Sequence, residues 1–229
     1  MDPEERTMQL RVLQGCLQPL SQPAVSKPGS KSVPAVSPNW RKNPAYKAKA
    51  EETHSARRVV AVDCEMVSTD TNPNALARVS IVDFDGNVLL DEYVKPKDKV
   101  RNYKTSVSGI TASHLKFAKP FEEVQRIVTK LLENCTVVGH AISHDLQALD
   151  IVLPSDHVAD TQKLYKLSNG VKAVSLRKLV ETELGRSIQD GEHDSVEDAR
   201  ATMEIYRKLF LMHTNSQSKA RPREERTRK

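Results

Sequence analysis

Four apolar residues in a row, Val59-Val60-Ala61-Val62, give way at once to Asp63-Cys64-Glu65. A short run rich in β-branched residues suits a strand buried on both faces. Side chains two apart on a strand point the same way, so two carboxylates stand side by side at the C-terminal end of this one. Such a pair repels itself and resists losing water, which a bound cation relieves. A frayed strand end with two solvated acids accounts for the same residues. The segment therefore calls for a buried strand and leaves the role of its acids open.

The pattern downstream supplies that strand with neighbours. Ala77-Arg78-Val79-Ser80-Ile81-Val82 alternates with period two, and Asp85-Gly86-Asn87 is a turn leading into Val88-Leu89-Leu90-Asp91-Glu92-Tyr93-Val94, a hairpin signature. Residues 119–134 carry Phe121, Val124, Ile127, Val128 and Leu131 at helical spacing. Thr136-Val137-Val138 predicts a brief strand and 143–149 a helix, with His157-Val158-Ala159 as a fifth strand. Residues 175–184 and 194–211 predict two more helices. A hairpin followed by alternating helices and strands implies an α/β fold, a mixed, mostly five-stranded sheet with helices on both faces.

Charge divides the chain into three. Residues 1–55 hold 8 Lys/Arg and 5 Asp/Glu, residues 214–229 hold 6 and 2, and the remainder holds 21 and 23. The net +5 thus sits in the ends, while the middle keeps an acidic surplus that carboxylates holding cations would explain. Basic ends that merely aid solubility are the plainer account. Seven of the 12 prolines fall in residues 1–55, so that stretch is expected to be a disordered leader. Residues 56–213 are expected to form one domain and 214–229 a basic disordered tail. Within the leader, Trp40 is expected to dock on the domain, and Met8–Leu13 is too short to count on as a helix. Cys16, Cys64 and Cys135 share no CxxC spacing, against both a disulfide scaffold and a zinc site. No apolar run suffices for a membrane span, and the acidic start does not suit a targeting peptide, so a soluble intracellular protein is expected.

Two further acids accompany the first pair. Asp145 falls in the first turn of the 143–149 helix, where the helix dipole alone favours a negative charge. Asp198 follows His193 by five positions at the opening of the last helix, where Asp194 or Ser195 can cap and Ser195-x-x-Asp198 matches a capping box. Each acid has this bland explanation, and the order of all four is far more specific than any one.

That order, acid-x-acid ending a first strand, an acid opening a middle helix and His-x4-Asp opening the last, resembles the DEDDh exonucleases. Val60-Ala61-Val62-Asp63-Cys64-Glu65-Met66-Val67, Tyr103-Lys104-Thr105-x-x-Ser108-Gly109-Ile110-Thr111, Val138-Gly139-His140-Ala141 and Ser195-Val196-Glu197-Asp198-Ala199 are similar to the RNA exonuclease four and interferon-stimulated exonuclease group. The resemblance covers about residues 57–212. Ser68–Asn74 replaces a glycine-rich stretch, Lys104 stands where arginine is common, and His144 stands where asparagine is common.

The resemblance implies an RNase H-like fold and a 3′→5′ exoribonuclease that releases nucleoside 5′-monophosphates in RNA or rRNA processing or decay. It implies Asp63, Glu65, Asp145 and Asp198 as ligands of two divalent ions, Mg²⁺ or Mn²⁺, with His193 as general base. Oxygen-only ligands suit such hard cations. Met66, Lys104 and His140 are expected near the terminal nucleotide. Asp160-Thr161 also resembles a family motif, and Asp160 can equally begin a helix. The expected partner is the 3′ end of single-stranded RNA, with single-stranded DNA as the alternative. No membrane partner is expected, and a monomer is the default. Residence in the nucleus or nucleolus is implied, with the cytoplasm as alternative. A noncatalytic RNA-binding scaffold is the rival from another class.

Overall fold

The computed structural model describes residues 57–170 and 173–219. The leader with Trp40 and Met8–Leu13, and the basic segment past Lys219, lie outside them. Its central element is β1 (Arg58–Thr69), flanked by β2 (Ala75–Asp83) and β3 (Val88–Lys95). These three form an antiparallel meander, closed between β2 and β3 by a turn in which Gly86 takes φ +85°. β4 (Val100–Asn102) pairs the far end of β1. There follow α1 (Thr105–Ser108), α2 (Ala112–Lys116), β5 (Lys119–Pro120), α3 (Phe121–Leu132), β6 (Cys135–Gly139) and α4 (Ser143–Leu149). A 3₁₀ turn at Ser155–His157 leads to β7 (Val158–Asp160), α5 (Thr161–Asn169), α6 (Leu176–Leu184) and α7 (Ser195–Lys219).

The sheet runs β5-β3-β2-β1-β6-β7, with β6 and β7 parallel to β1. The mixed five-strand ladder expected from the sequence is therefore β3-β2-β1-β6-β7, and β4 and β5 add short pairings at its margin. Helices cover both faces. On one, Val59 and Ala61 of β1 pack with Leu179 and Val180 of α6 and with Met203, Ile205 and Tyr206 of α7. On the other, Val60, Val62 and Cys64 pack with Val124 and Val128 of α3 and with Leu149 of α4. A third cluster joins Val67, Ala75 and Ala77 to Ile110 and Leu115 of the α1–α2 segment. No helix among the described residues is long and apolar enough to cross a membrane.

Asp63 and Glu65 do not lie at the end of β1 but in its middle, because β2 continues to pair with β1 as far as Val67 opposite Ala75. The strand that stops is β6, whose pairing with β1 ends at Ala61 opposite Val138. The acids thus stand just past the point where the parallel neighbour gives out, at the C-terminal end of the parallel part of the sheet. Ligand sites of open α/β sheets favour that edge. α7 also runs beyond Leu211 to Lys219, into the segment read from sequence as tail.

Candidate active site

Local sequence explains how each acid is aimed. Along β1 the odd-numbered side chains 59, 61, 63, 65 and 67 share a face, so Asp63 and Glu65 point the same way as Val59 and Ala61, toward α7. A bulge between Glu65 and Met66 breaks the register with β2 directly after the second acid, a place where bulges re-aim side chains. Opposite Glu65 stands Arg78, which binds both oxygens of Asp91 (2.8 and 3.0 Å) and reaches Asp194 Oδ2 (3.1 Å).

Asp145 arrives from the gap left by β6. Gly139 ends that strand, and a Cβ there would sit 2.6 Å from the side chain of Ile142, so only glycine lets the chain fold back this tightly. Ala141 then takes φ +54°, and Asp160 Oδ1 accepts its N–H at 3.0 Å. The same Asp160 oxygen caps α5 through Gln162 N, the helix-opening role available to it in the sequence. One turn on, Asp145 is buried in the first turn of α4, and its Oδ1 accepts the backbone N–H of Cys64 at 3.0 Å. That bond ties the α4 acid to the strand between Asp63 and Glu65.

Asp198 is delivered by the start of α7. Asp194 is the cap, its Oδ1 accepting from Val196 N and Glu197 N at 3.0 Å each. Ser195 Oγ instead lies 2.6 Å from Ser80 Oγ of β2, pinning the helix to the sheet. The Ser195–Asp198 capping box does not form, and the Asp198 carboxylate is free to face β1. His193 is held on α1 by its N–H to Val107 O, 2.7 Å, and its carbonyl lies where Gly109 leaves room for it.

The result is a buried acidic centre. Ligand atoms of Glu65, His193 and Asp198 all lie within 4.8 Å of one another, a spacing that can hold a divalent cation. Glu65 Oε1 and Asp198 Oδ1 are buried with no hydrogen-bond partner. Orphaned carboxylate oxygens are costly unless something positive meets them, so the donor set fits a metal ion. Asp63 and Asp145 stand outside that tightest group but share its field. Burial, then the charges of Asp145, Asp198 and Glu65, push Asp63 well above the usual carboxylate range. Burial, then Asp198, pushes Glu65 up to about 8, partly offset by Arg78. Burial raises Asp145 against the opposing bond from Cys64, and raises Asp198 to about 6 against the bond from Gln189. Burial, with Arg177 nearby, lowers His193, so it is neutral at neutral pH and able to accept a proton.

Two contributors escaped the sequence reading. Gln189, at φ +58°, donates from Nε2 to Asp198 Oδ2 at 2.7 Å, the oxygen that lies 3.7 Å from His193 Nδ1. Arg78 moderates Glu65 from the facing position on β2. The remaining expected residues have partners of their own, and none of those is an acid of the site. His140 places Nδ1 3.0 Å from Thr161 Oγ1 and Nε2 2.9 Å from Val174 O. Lys104 Nζ donates to Pro73 O (2.7 Å) and Asn74 Oδ1 (3.1 Å), bracing the loop after β1. Met66 is half-buried against the α3–α4 core.

Residues 60–206 match the exonuclease family RNase_T. RNA exonuclease 4 of Gibberella zeae is 50% identical over 156 residues, covering 66% of this chain and 49% of that protein. RNA exonuclease 4 of Saccharomyces cerevisiae is 46% identical over 156 residues, covering 66% and 54%. The chain spans about half the length of these curated relatives. Among solved structures, the Neurospora crassa Pan2 catalytic unit superposes with TM-score 0.64 at 26% identity, covering 72% of this chain and 30% of that one. The Saccharomyces cerevisiae Pan2 pseudoubiquitin hydrolase–RNA exonuclease module in complex with AAGGA RNA gives 0.63 at 30%, covering 72% and 31%. With its RNase H-like sheet and its acids in the DEDDh order, the chain belongs to the RNase_T exonuclease family, related to RNA exonuclease 4 and to the Pan2 nuclease domain.

Proposed function

We propose that this protein is a 3′→5′ exoribonuclease that removes nucleoside 5′-monophosphates from single-stranded RNA. The observation that carries the reading is the grouping of Glu65, Asp198 and His193 within 4.8 Å of one another, with one oxygen of each acid buried and orphaned, in the field of Asp63 and Asp145. A retired site on a binding scaffold has no reason to keep so costly an arrangement, which disfavours the noncatalytic alternative. The relatives named RNA exonuclease 4 and the RNA-bound Pan2 module favour RNA over DNA as substrate.

Asp63, Glu65, Asp145 and Asp198 would hold two divalent ions, Mg²⁺ or Mn²⁺. When bound, these supply charge neutralisation for the acids and Lewis acidity toward the phosphodiester. His193, neutral and only half-buried on a loop after Gly191 (φ +141°), takes the proton from the attacking water. Gln189 holds one oxygen of Asp198 so that the other faces the centre. Met66 and Lys104 border the place of the terminal nucleotide. His140, with both ring nitrogens occupied, shapes that place through Thr161 and the 174 carbonyl.

The test is degradation of 3′- and 5′-labelled RNA and DNA of matched sequence in Mg²⁺, Mn²⁺ or EDTA. Stepwise loss of the 3′ label from RNA, abolished by EDTA, is expected. RNA left whole in manganese buffer overturns the reading, and equal turnover of DNA removes the RNA preference.

A further inference from the structure

Beyond the acids, a cleft of about 600 Å³ opens between the β3–β4 loop and α2. Lys95, Lys99 and Lys116 line it with Tyr103, and none of the three lysines is in an ion pair with a described residue. The one acid in its wall, Asp98, accepts from the Thr71 hydroxyl. The neighbouring cations are committed elsewhere: Lys97 to Glu122, Lys119 to Glu92 and Arg101 to Asp70. Beside Lys116 stands Phe117, 86% exposed, its ring 5.2 Å from the lysine Nζ. In a chain with 4% aromatic residues, an exposed phenylalanine at the rim of a cationic cleft is conspicuous.

The cleft lies on the face of the sheet that carries the acids. Val67 shares the side of β1 with Asp63 and Glu65, and it packs with Ile110 and Leu115 of the α1–α2 segment. Val100, which lines the cleft, pairs with Thr69. At about 3.3 Å per residue, Thr69 lies ~13 Å along the strand from Glu65. From the other side, α1 carries the Val107 carbonyl that holds His193 and leads through Gly109 into α2. The cleft and the acidic centre are thus joined twice through short, well-packed segments.

We propose that this cleft binds the phosphodiester backbone of single-stranded RNA a few nucleotides upstream of the 3′ end, with Phe117 stacking on one of its bases. The reading rests on the exonuclease function proposed above. Lysines with no ion-pair partner among the described residues, lining a groove beside an exposed aromatic ring, supply the two components of sequence-tolerant single-strand binding. The cleft also resolves the charge problem of the domain. Its acidic centre attracts metal ions, and a polyanion needs positive charge nearby to approach such a centre.

The experiment compares wild type with the triple variant Lys95→Gln/Lys99→Gln/Lys116→Gln and with Phe117→Ala, on a long oligoribonucleotide and on a dinucleotide. All four positions are exposed, so folding should survive, and near-UV circular dichroism checks that it does. For the triple variant, KM on the long RNA should rise about tenfold at low salt, and the slope of log K against log salt should shrink by about 2, at ~0.7 per phosphate contact. Phe117→Ala should raise KM several-fold without changing that slope. Turnover of the dinucleotide should not change in either. A folded triple variant that degrades long RNA with wild-type KM and salt slope overturns the cleft and leaves the exonuclease reading standing. Wild-type protein that degrades neither substrate overturns both.

Discussion

The two faces of β1 are buried to a similar degree and owe their burial to opposite causes. Toward α3 and α4 the strand presents Val60, Val62 and Cys64, an apolar row in which every buried atom favours folding. On the other face Val59 and Ala61 meet α7, Asp63 and Glu65 follow, and Val67 packs on the α1–α2 segment, an apolar row interrupted by two charges. Burial there raises both carboxylates and leaves a Glu65 oxygen without a partner. One strand thus carries a stabilising face and a face that strains the fold for the sake of its site. Local rules are expected to fail at functional positions while holding elsewhere.

The largest break of this asymmetry comes from the acid that α7 adds. Asp198→Asn should abolish nuclease activity and leave the fold intact, since the amide keeps shape and removes a charge that burial already disfavours. Turnover in Mn²⁺ equal to wild type would remove the metal site from the mechanism. His193→Ala comes next, with a rate loss of about 10²–10⁴-fold. Mn²⁺ binding, followed by calorimetry, should remain, because the acids stay. An unchanged rate would strip His193 of its role as base.

Sensitivity to stability should separate the two faces of β1 directly. Val62→Ala should cost about 2 kcal/mol through lost burial and a cavity. Asp63→Asn should leave the metal-free protein as stable or more so, because it removes a charge that burial and the neighbouring acids disfavour. The pH dependence follows with a definite sign. Glu65 titrates at about 8 in the folded protein against 4.5 ordinarily. Between those values the folded state holds more protons than the unfolded one, so stability falls as pH rises. In EDTA the melting temperature should therefore drop by several degrees from pH 5 toward pH 8. Added Mg²⁺ should restore it, most at the higher pH. A metal-free protein that grows more stable over that interval would contradict the burial of these acids.

Much of this was legible in the sequence, and the gaps have physical causes. The hairpin announced itself through period-two alternation and a turn, the long helix through 3.6-residue spacing, and the parallel strands through short apolar runs. The helix at Ser143–Leu149 matched its expected bounds, and the order of the acids pointed to the site. β1 outruns its apolar run because acids inside a strand look like its end, and only pairing with β2 reveals otherwise. The C-terminal extension of α7 had no apolar signal, since a helix once begun propagates cheaply. The partners of His140 and Lys104 include the backbone carbonyls of 174 and 73, and carbonyls leave no mark in residue identity. Arg78 comes opposite Glu65 through the β1–β2 register, which shifts directly after that pair and which no pattern within either strand fixes.

Gln189 was not readable, and it gives the finest test of how the strained face is maintained. It lies in a loop with no periodicity, in a left-handed conformation, and it donates to Asp198 Oδ2 while Asp198 Oδ1 stays orphaned. Removing the amide frees the carboxylate to rotate, so its second oxygen no longer faces Glu65 by default. Gln189→Ala should weaken Mn²⁺ affinity about tenfold, the lower end for partners that orient metal ligands, and reduce the rate at saturating metal far less. Gln189→Glu should be worse than Ala, because it sets a further carboxylate against Asp198 in a site already crowded with negative charge. A residue that only shaped its loop would lower the melting temperature in both variants and leave the metal affinity where it was.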